Sequence, residues 1–419
     1  MGGSGAEGTL SLGSIPEAGY DDYRYEVIFG AYKWDPQVED SNTVSRHVVL
    51  MDHKMAGQLA RWAEQLADET ARMERTLLGK PALAREMGLP KSMVEALGQV
   101  PGYDPAGHVR LMRFDFHPTV EGWAISEVNS DVPGGLAEAS VLPGIASPFF
   151  EGYGPRYHVG QNLLAAFKPK VREDAAVAFV HCTAYSDDRQ VMQFLSDYFA
   201  ANGLRTLFAA PDHLRWTGGG AVSGVAGQAV DVGGIVRFFP LEWLSNLPRS
   251  TDWRGYYTTG VPSCNHPVAI LTQSKRLPLV WDRLGEAIPT WKQLLPETAD
   301  PRALSRQADG WIWKPALGRV GEGISVPGTM HERERQAIER AARRYPTDWV
   351  AQRRFESRPL KTPEGEAYHL CIGVFTVDGT CAGFYGRISP YPRIDAKAKD
   401  IPVLVLGEDD HDKAQPRHL

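Results

Sequence analysis

The chain has 419 residues, which is too long for one compact core and suits roughly two or three packed lobes. Its formal net charge is −6, and the charges are mixed along the chain, which excludes the basic stripe of a nucleic-acid binder. No run approaches about 18 consecutive apolar residues, so no membrane span is expected.

Residues 1–20 read as a disordered lead-in. The first eight are Gly-rich and polar, without the basic start and apolar run of a signal peptide. Residues 25–52 are mixed and bear Trp and Tyr, so they are expected to wrap the surface. Residues 54–97 read as helical: Met55, Leu59, Trp62, Leu66, Ala71 and Met73 recur near helical spacing. Pro90 interrupts that region, and Pro101-Gly102 ends it. Residues 109–116 and 123–128 alternate apolar and polar side chains around a turn at 117–122, which predicts a β-hairpin.

Residues 175–180 form a continuous apolar run, as in a buried parallel strand. A helix follows over 188–202, stopped by Gly203. Strands are expected at 205–209 and 234–239, so the segment reads as a βαβ lobe. Residues 218–233 read as a surface loop or short hairpin. Beyond them, 311–313 is a short strand leading into a glycine-rich loop, and 331–345 is a helix with a solvated, mixed-charge face. Strands follow at 349–355, 368–377 and 380–388. Asp378-Gly379 between the last two is a hairpin turn. The chain after 407 reads as a loose tail. The four cysteines are Cys182, Cys264, Cys371 and Cys381, with no C-x-x-C pair. Neither a disulfide framework nor a zinc site is expected, and the compartment reads as reducing cytoplasm.

The hairpin carries Arg113, Asp115, Glu127 and Asn129. Residues two apart on a strand share a face, so each pair points one way. With Phe114 and Val128 on the buried face, the four polar groups line the other. A register pairing Asp115 with Glu127 places Arg113 opposite Asn129. Asp, Glu and Asn oxygens on one face suit Mg²⁺, and Arg113 beside them makes sense if a phosphate also binds there. The plain alternative is a solvated, salt-bridged hairpin. Further on, Lys314 ends a strand and opens a loop with Gly318, Gly321 and Gly323. Glycines let backbone N–H groups approach phosphate closely, and Lys314 adds a point charge.

These pieces, in this order, resemble the synthetase part of the glutathionylspermidine synthase family, an ATP-grasp group. Arg113-Phe114-Asp115 resembles the family's Arg-x-Asp. Glu127-Val128-Asn129-Ser130-Asp131-Val132-Pro133 resembles its Glu-x-Asn-x-Asp-x-Pro. The segment 270–281, with Lys275, resembles its Ser-Asn-Lys region. Lys314-Pro315 through Gly318, Arg319 and Gly321 resembles its Lys-Pro followed by a Gly-Arg-x-Gly loop. Val350-Ala351-Gln352 resembles its adenine-side strand, and Arg387 its late arginine.

The resemblance implies an α/β ATP-grasp fold of permuted order, with a helical N-terminal part and a βαβ pre-ATP-grasp lobe. It implies ATP and Mg²⁺, with Asp115, Glu127 and Asn129 holding the metal. Lys275, Lys314, Gly318, Arg319, Gly321 and Gln352 would hold the nucleotide, and Arg113 and Arg387 would stabilise the transferring phosphoryl group. The expected divisions are 21–160 for the helical part with the hairpin, 161–265 for the βαβ lobe, 266–406 for the nucleotide lobe, and 407–419 for the tail.

The implied activity is an ATP-dependent carboxylate–amine ligase with a small-molecule or peptide carboxylate and an amine as partners. The alternatives are a phosphotransferase on the same fold, or a nucleotide-binding partner in a biosynthetic complex. Candidate substrate contacts are Asp131, Asp187, Asp188 and Glu242. For Asp187 and Asp188 helix N-capping is the plain alternative, and for Glu242 a buried pair with Arg237. Arg189 and Gln190 stand where the family has a further acidic pair. Ser130 to Gly135 differs from its hydroxyl-bearing run. Both departures argue against glutathione and spermidine as the substrates.

Overall fold

The computed structural model describes residues 8–34, 36–227, 229–248, 250–304, 310–318, 324 and 330–407. Its central sheet runs, in spatial order, through Lys399–Ile401, Thr380–Ser389, Ala367–Val377, Leu111–Thr119 and Gly122–Asn129. Every neighbouring pair is antiparallel. The two-residue strand period puts Phe114 with Phe116 and Ile372 with Val374 on one side, their cross-strand partners Val128 and Ile125 join them there, and all six are buried.

The helix His53–Leu78 covers that side with a stripe of Leu59, Ala63, Leu66, Met73 and Leu77. Trp62 stacks 6.3 Å from Phe116, and Trp291 meets Phe114 edge-on at 6.1 Å. Asp52 caps the helix, accepting the Met55 N–H at 2.8 Å. The helix ends well before Pro90. Gly79 caps it, and Pro81 opens a second short helix, Pro81–Glu86, because proline at a first helical position loses no hydrogen bond. A third, Lys91–Leu97, follows.

In the βαβ lobe Arg205–Ala209, Ala176–His181, Val230–Phe238 and Ser263–Cys264 run parallel. Helix Ser186–Ala201 makes the crossover between the Ala176 and Arg205 strands. The stretch predicted as loop or hairpin forms a tight hairpin, Leu214–Thr217 with Gly220–Ser223. Its turn residues Gly218 and Gly219 have φ of 53° and 93°, which only glycine adopts without strain. The Asp378-Gly379 turn is likewise formed, with Val377 opposite Thr380. A small sheet of Thr298–Ala299, Trp349–Arg353 and Trp311–Pro315 is backed by helix Glu332–Arg344, whose Ala342 packs on Trp313.

The lead-in expectation for 1–20 needs correction. Leu10–Ser14 is a strand paired with His47–Met51, and Glu17–Gly30 is a helix burying Tyr23 and Val27. The strand's partner lies far along the chain, so no local pattern announces it. His47–Met51 also pairs with Val403–Leu406 at the opposite end of the chain. The hairpin, assigned by sequence to 21–160, hydrogen-bonds to a strand of 266–406. Sheet formation therefore crosses those boundaries. Gly407 N–H donates to Gly152 O at 2.7 Å, and 408–419 lie outside the described residues. Among the described residues all four cysteines are free, and no helix is long and apolar enough to cross a membrane.

Candidate active site

The face of the central sheet turned away from helix His53–Leu78 carries the polar groups. Arg113 opposes Asn129 as the alternation predicts. Asp115 does not pair directly with Glu127. A bulge shifts the register, so that Phe116 opposes Ile125 and Asp115 faces the irregular Ser126–Glu127 step. The bulge turns the Ser126 carbonyl toward Lys314, which donates to it at 3.0 Å.

A cavity of about 520 Å³ opens over this face. Arg113, Asp115, Glu127, Asn129, Lys314 and Arg387 line it, together with Asp187 and Asp188 of the βαβ lobe. Three sheets and the N-terminal segment, through Lys33, thus share one space.

Arg113 grips Asp115 with both ends of its fork, Nε to Oδ1 at 2.7 Å and Nη2 to Oδ2 at 2.9 Å. Its Nη1 donates to Gly134 O at 2.6 Å, and its guanidinium lies 5.2 Å from the Tyr385 ring. Asn129 Nδ2 donates to Asp115 Oδ2 at 3.1 Å. Gly373, opposite Asp115, leaves room for the Arg113 side chain, because a Cβ there would sit 2.7 Å from Arg113 Cδ. Gly373→Ala should therefore push Arg113 off Asp115 and cost about 1–3 kcal/mol, read as a lower denaturation midpoint.

Lys275 Nζ contacts Glu127 Oε2 at 3.0 Å and donates to Gly318 O at 2.6 Å. Burial opposes ionisation of Glu127, yet Lys275 and Lys314 hold its carboxyl down at about 2. Lys314 Nζ donates to Gln352 Oε1 at 2.7 Å. Burial pushes the Lys314 ammonium down to about 8, with Glu127 pulling upward and Lys275 downward.

Not every candidate reaches the cavity. Lys275 and Gln352 line a small crevice behind Glu127. Asp131 is 1% exposed; its Oδ1 pairs with Arg237 and its Oδ2 accepts the Leu241 N–H at 2.9 Å. Asp131 is thus a structural group holding the turn after the hairpin, and it, rather than Glu242, is the partner of Arg237. Glu242 is half-buried and does not line the cavity, although Pro240 and Trp243 do. Asp187 and Asp188 lie in the first turn of their helix. The N-cap there is Tyr185 without a side-chain cap, so neither aspartate fills the capping role. Arg319 and Gly321 lie outside the described residues.

Sequence reasoning missed Lys33, Tyr385 and Asp400, all of which line the cavity. Tyr385 had a signal, since it shares a strand face with Arg387 two residues on. Lys33 had none, as its partners lie at Glu138 and Asp400.

Several sheets meeting over a cavity rich in paired charges form a mixed α/β fold similar to ATP-grasp-like synthetases. The chain belongs to the glutathionylspermidine synthase pre-ATP-grasp family, whose model matches residues 22–405. Among solved structures it is similar to a glutathione synthetase-like effector from Globodera pallida, with TM-score 0.62 and 11% identity, covering 92% of this chain and 96% of that one. A protein from Methylobacillus flagellatus KT, provisionally described as a γ-glutamylcysteine synthetase, matches at TM-score 0.44 and 11% identity, covering 82% of this chain and 87% of that one. No curated protein matches the chain.

Proposed function

We propose that the chain is an ATP-dependent carboxylate–amine ligase that forms an amide through an acyl phosphate, on an amino acid, peptide or polyamine-like substrate. The observation that carries this reading is the convergence of Arg113, Asp115, Glu127, Asn129, Lys314 and Arg387, drawn from distant parts of the chain, on one cavity. Family membership supports it.

A carboxylate is a poor acyl donor because its leaving group would be oxide. Transfer of the terminal phosphoryl group of ATP makes that leaving group phosphate, and an amine then attacks. The protein's share is positioning and charge neutralisation. Lys314 would hold nucleotide phosphates, and Arg113 and Arg387 would meet charge on the transferring group. Lys275 would act from behind, by holding Glu127. Asp187 and Asp188, exposed and half-buried on the opposite wall, are suited to an ammonium group.

Among the described residues no three acidic, His or Cys side chains converge as a metal cage. The donor set still fits Mg²⁺, which is usually held through one or two carboxylates plus substrate phosphates. Asp115, Glu127 and Asn129 would hold it, and it would neutralise phosphate charge.

Incubation with ATP, Mg²⁺ and carboxylate–amine pairs should release ADP and phosphate only when an amine is present. AMP and pyrophosphate as products would overturn the acyl-phosphate route, and amine-independent ADP release would favour a phosphotransferase. ATP affinity should also report Lys314. The folded chain holds this lysine near 8, below its ordinary 10.5, so its charge is present at pH 7 and lost as pH rises through about 8. Titration calorimetry at pH 7 and pH 9 should show binding about tenfold weaker at the higher pH, the one-proton expectation.

A further inference from the structure

Lys33 follows the helix Glu17–Gly30 and reaches the cavity wall from a segment no motif marks. Its Nζ lies 2.7 Å from Glu138 Oε1 and 2.7 Å from Asp400 Oδ2. Tyr385 donates its hydroxyl to the other Asp400 oxygen at 2.5 Å. Both oxygens of the Asp400 carboxylate are therefore engaged.

Arg387 is the direct cross-strand neighbour of Asp400. Opposite charges so placed attract one another. Here Arg387 Nε stays 3.8 Å from Asp400 Oδ1. Among the described residues this buried Nε has no hydrogen-bond partner. Arg387 Nη2 is fixed elsewhere, donating to Asp395 O at 2.5 Å. A buried guanidinium N–H without an acceptor is costly, so its persistence needs a cause, and Arg387 lines the cavity where an anionic ligand would draw the guanidinium.

We infer that Lys33 is a positioning residue: by holding Asp400 off Arg387 it leaves the Arg387 guanidinium for the terminal phosphoryl group in the cavity. The inference rests on the ligase reading for the identity of that group. Without the Lys33 charge, Asp400 would be a buried carboxylate whose nearest cation is Arg387. Closing the 3.8 Å gap would neutralise both and consume the donor. The strand register supports the phosphoryl assignment. Tyr385, two residues before Arg387 on the same face, opposes Gly373, and Gly373 opposes Asp115. Arg387 thus shares a sheet face with the carboxylates suited to a phosphate-bridging metal.

The test compares affinities of the full chain for a Mg²⁺-loaded non-hydrolysable ATP analogue and for Mg²⁺-loaded ADP by titration calorimetry. Wild type should prefer the analogue. Lys33→Met should lose about tenfold of that preference, the worth of one charged hydrogen bond, with ADP affinity unchanged. Adding Asp400→Asn should restore it, because a neutral amide does not capture Arg387. A merely structural role for Lys33 would move ADP affinity and analogue affinity together, in the single variant and in the double, whereas the inference moves only the preference between them. Lys33→Gln, which keeps hydrogen bonds without the charge, gives the same comparison should Lys33→Met fail to fold. An unchanged preference in the single variant, or a loss that Asp400→Asn does not restore, overturns the inference alone. Failure of the wild-type chain to bind either nucleotide overturns the ligase reading and the inference together.

Discussion

Arg237→Leu should lower the denaturation midpoint sharply, by the equivalent of about 3–5 kcal/mol. Arg237 is 4% exposed and Asp131 1%, and the two form a direct ion pair. The arginine also donates Nη1 to Phe239 O at 2.5 Å and Nη2 to Asn265 O at 3.3 Å. Removing it takes away the cation that faces the buried Asp131 carboxylate, and that loss of charge pairing sets the size of the effect. A double variant with Asp131→Leu should recover part of the stability, since an apolar pair tolerates burial. It should not recover all of it, because the Leu241 N–H loses its acceptor, worth about 1–3 kcal/mol. Chemical denaturation of the two variants beside wild type checks both statements. Equal midpoints for wild type and Arg237→Leu would show that the pair contributes nothing.

Lys314→Ala should do the opposite: abolish function and spare the fold. The ammonium is held near 8 because burial disfavours its charge, so carrying that charge at pH 7 costs the unliganded chain stability. Losing it should leave the midpoint unchanged or slightly raised, even though Gln352 Oε1 and Ser126 O each lose a donor. A preorganised cation aimed at developing phosphoryl charge is worth about 10²–10³ in rate. Amine-dependent ADP release should fall by about that factor, and the thermal shift produced by Mg²⁺ and ATP should vanish. A variant that keeps both would remove Lys314 from the nucleotide site.

The placement of several residues of the candidate site was legible because strand periodicity is local. Arg113 with Asp115 and Glu127 with Asn129 share a face by the two-residue rule, and Phe114 and Val128 fix which face is buried. The Asp378-Gly379 turn and the apolar run at Ala176–His181 announce themselves in the same way. These elements carry their instructions within a few residues. The bulge that swings Ser126 toward Lys314 was not legible, since it depends on the strand opposite.

Asp131 and Arg237 show the limit from the other side. In the sequence Asp131 reads as a candidate substrate contact and Arg237 as the alternative partner of Glu242, and only packing reveals that the two pair with one another. Lys33, Glu138, Tyr385 and Asp400 belong to segments far apart in the chain, and their network exists only once Val403–Leu406 has paired beside His47–Met51. The sequence by itself determined the hairpin face and the buried βαβ strand, because alternation and apolar runs are properties of the chain within a few residues. Only the tertiary structure decided which carboxylate each cation meets, because partners far apart in sequence come within hydrogen-bonding distance only through the long-range pairing of sheets.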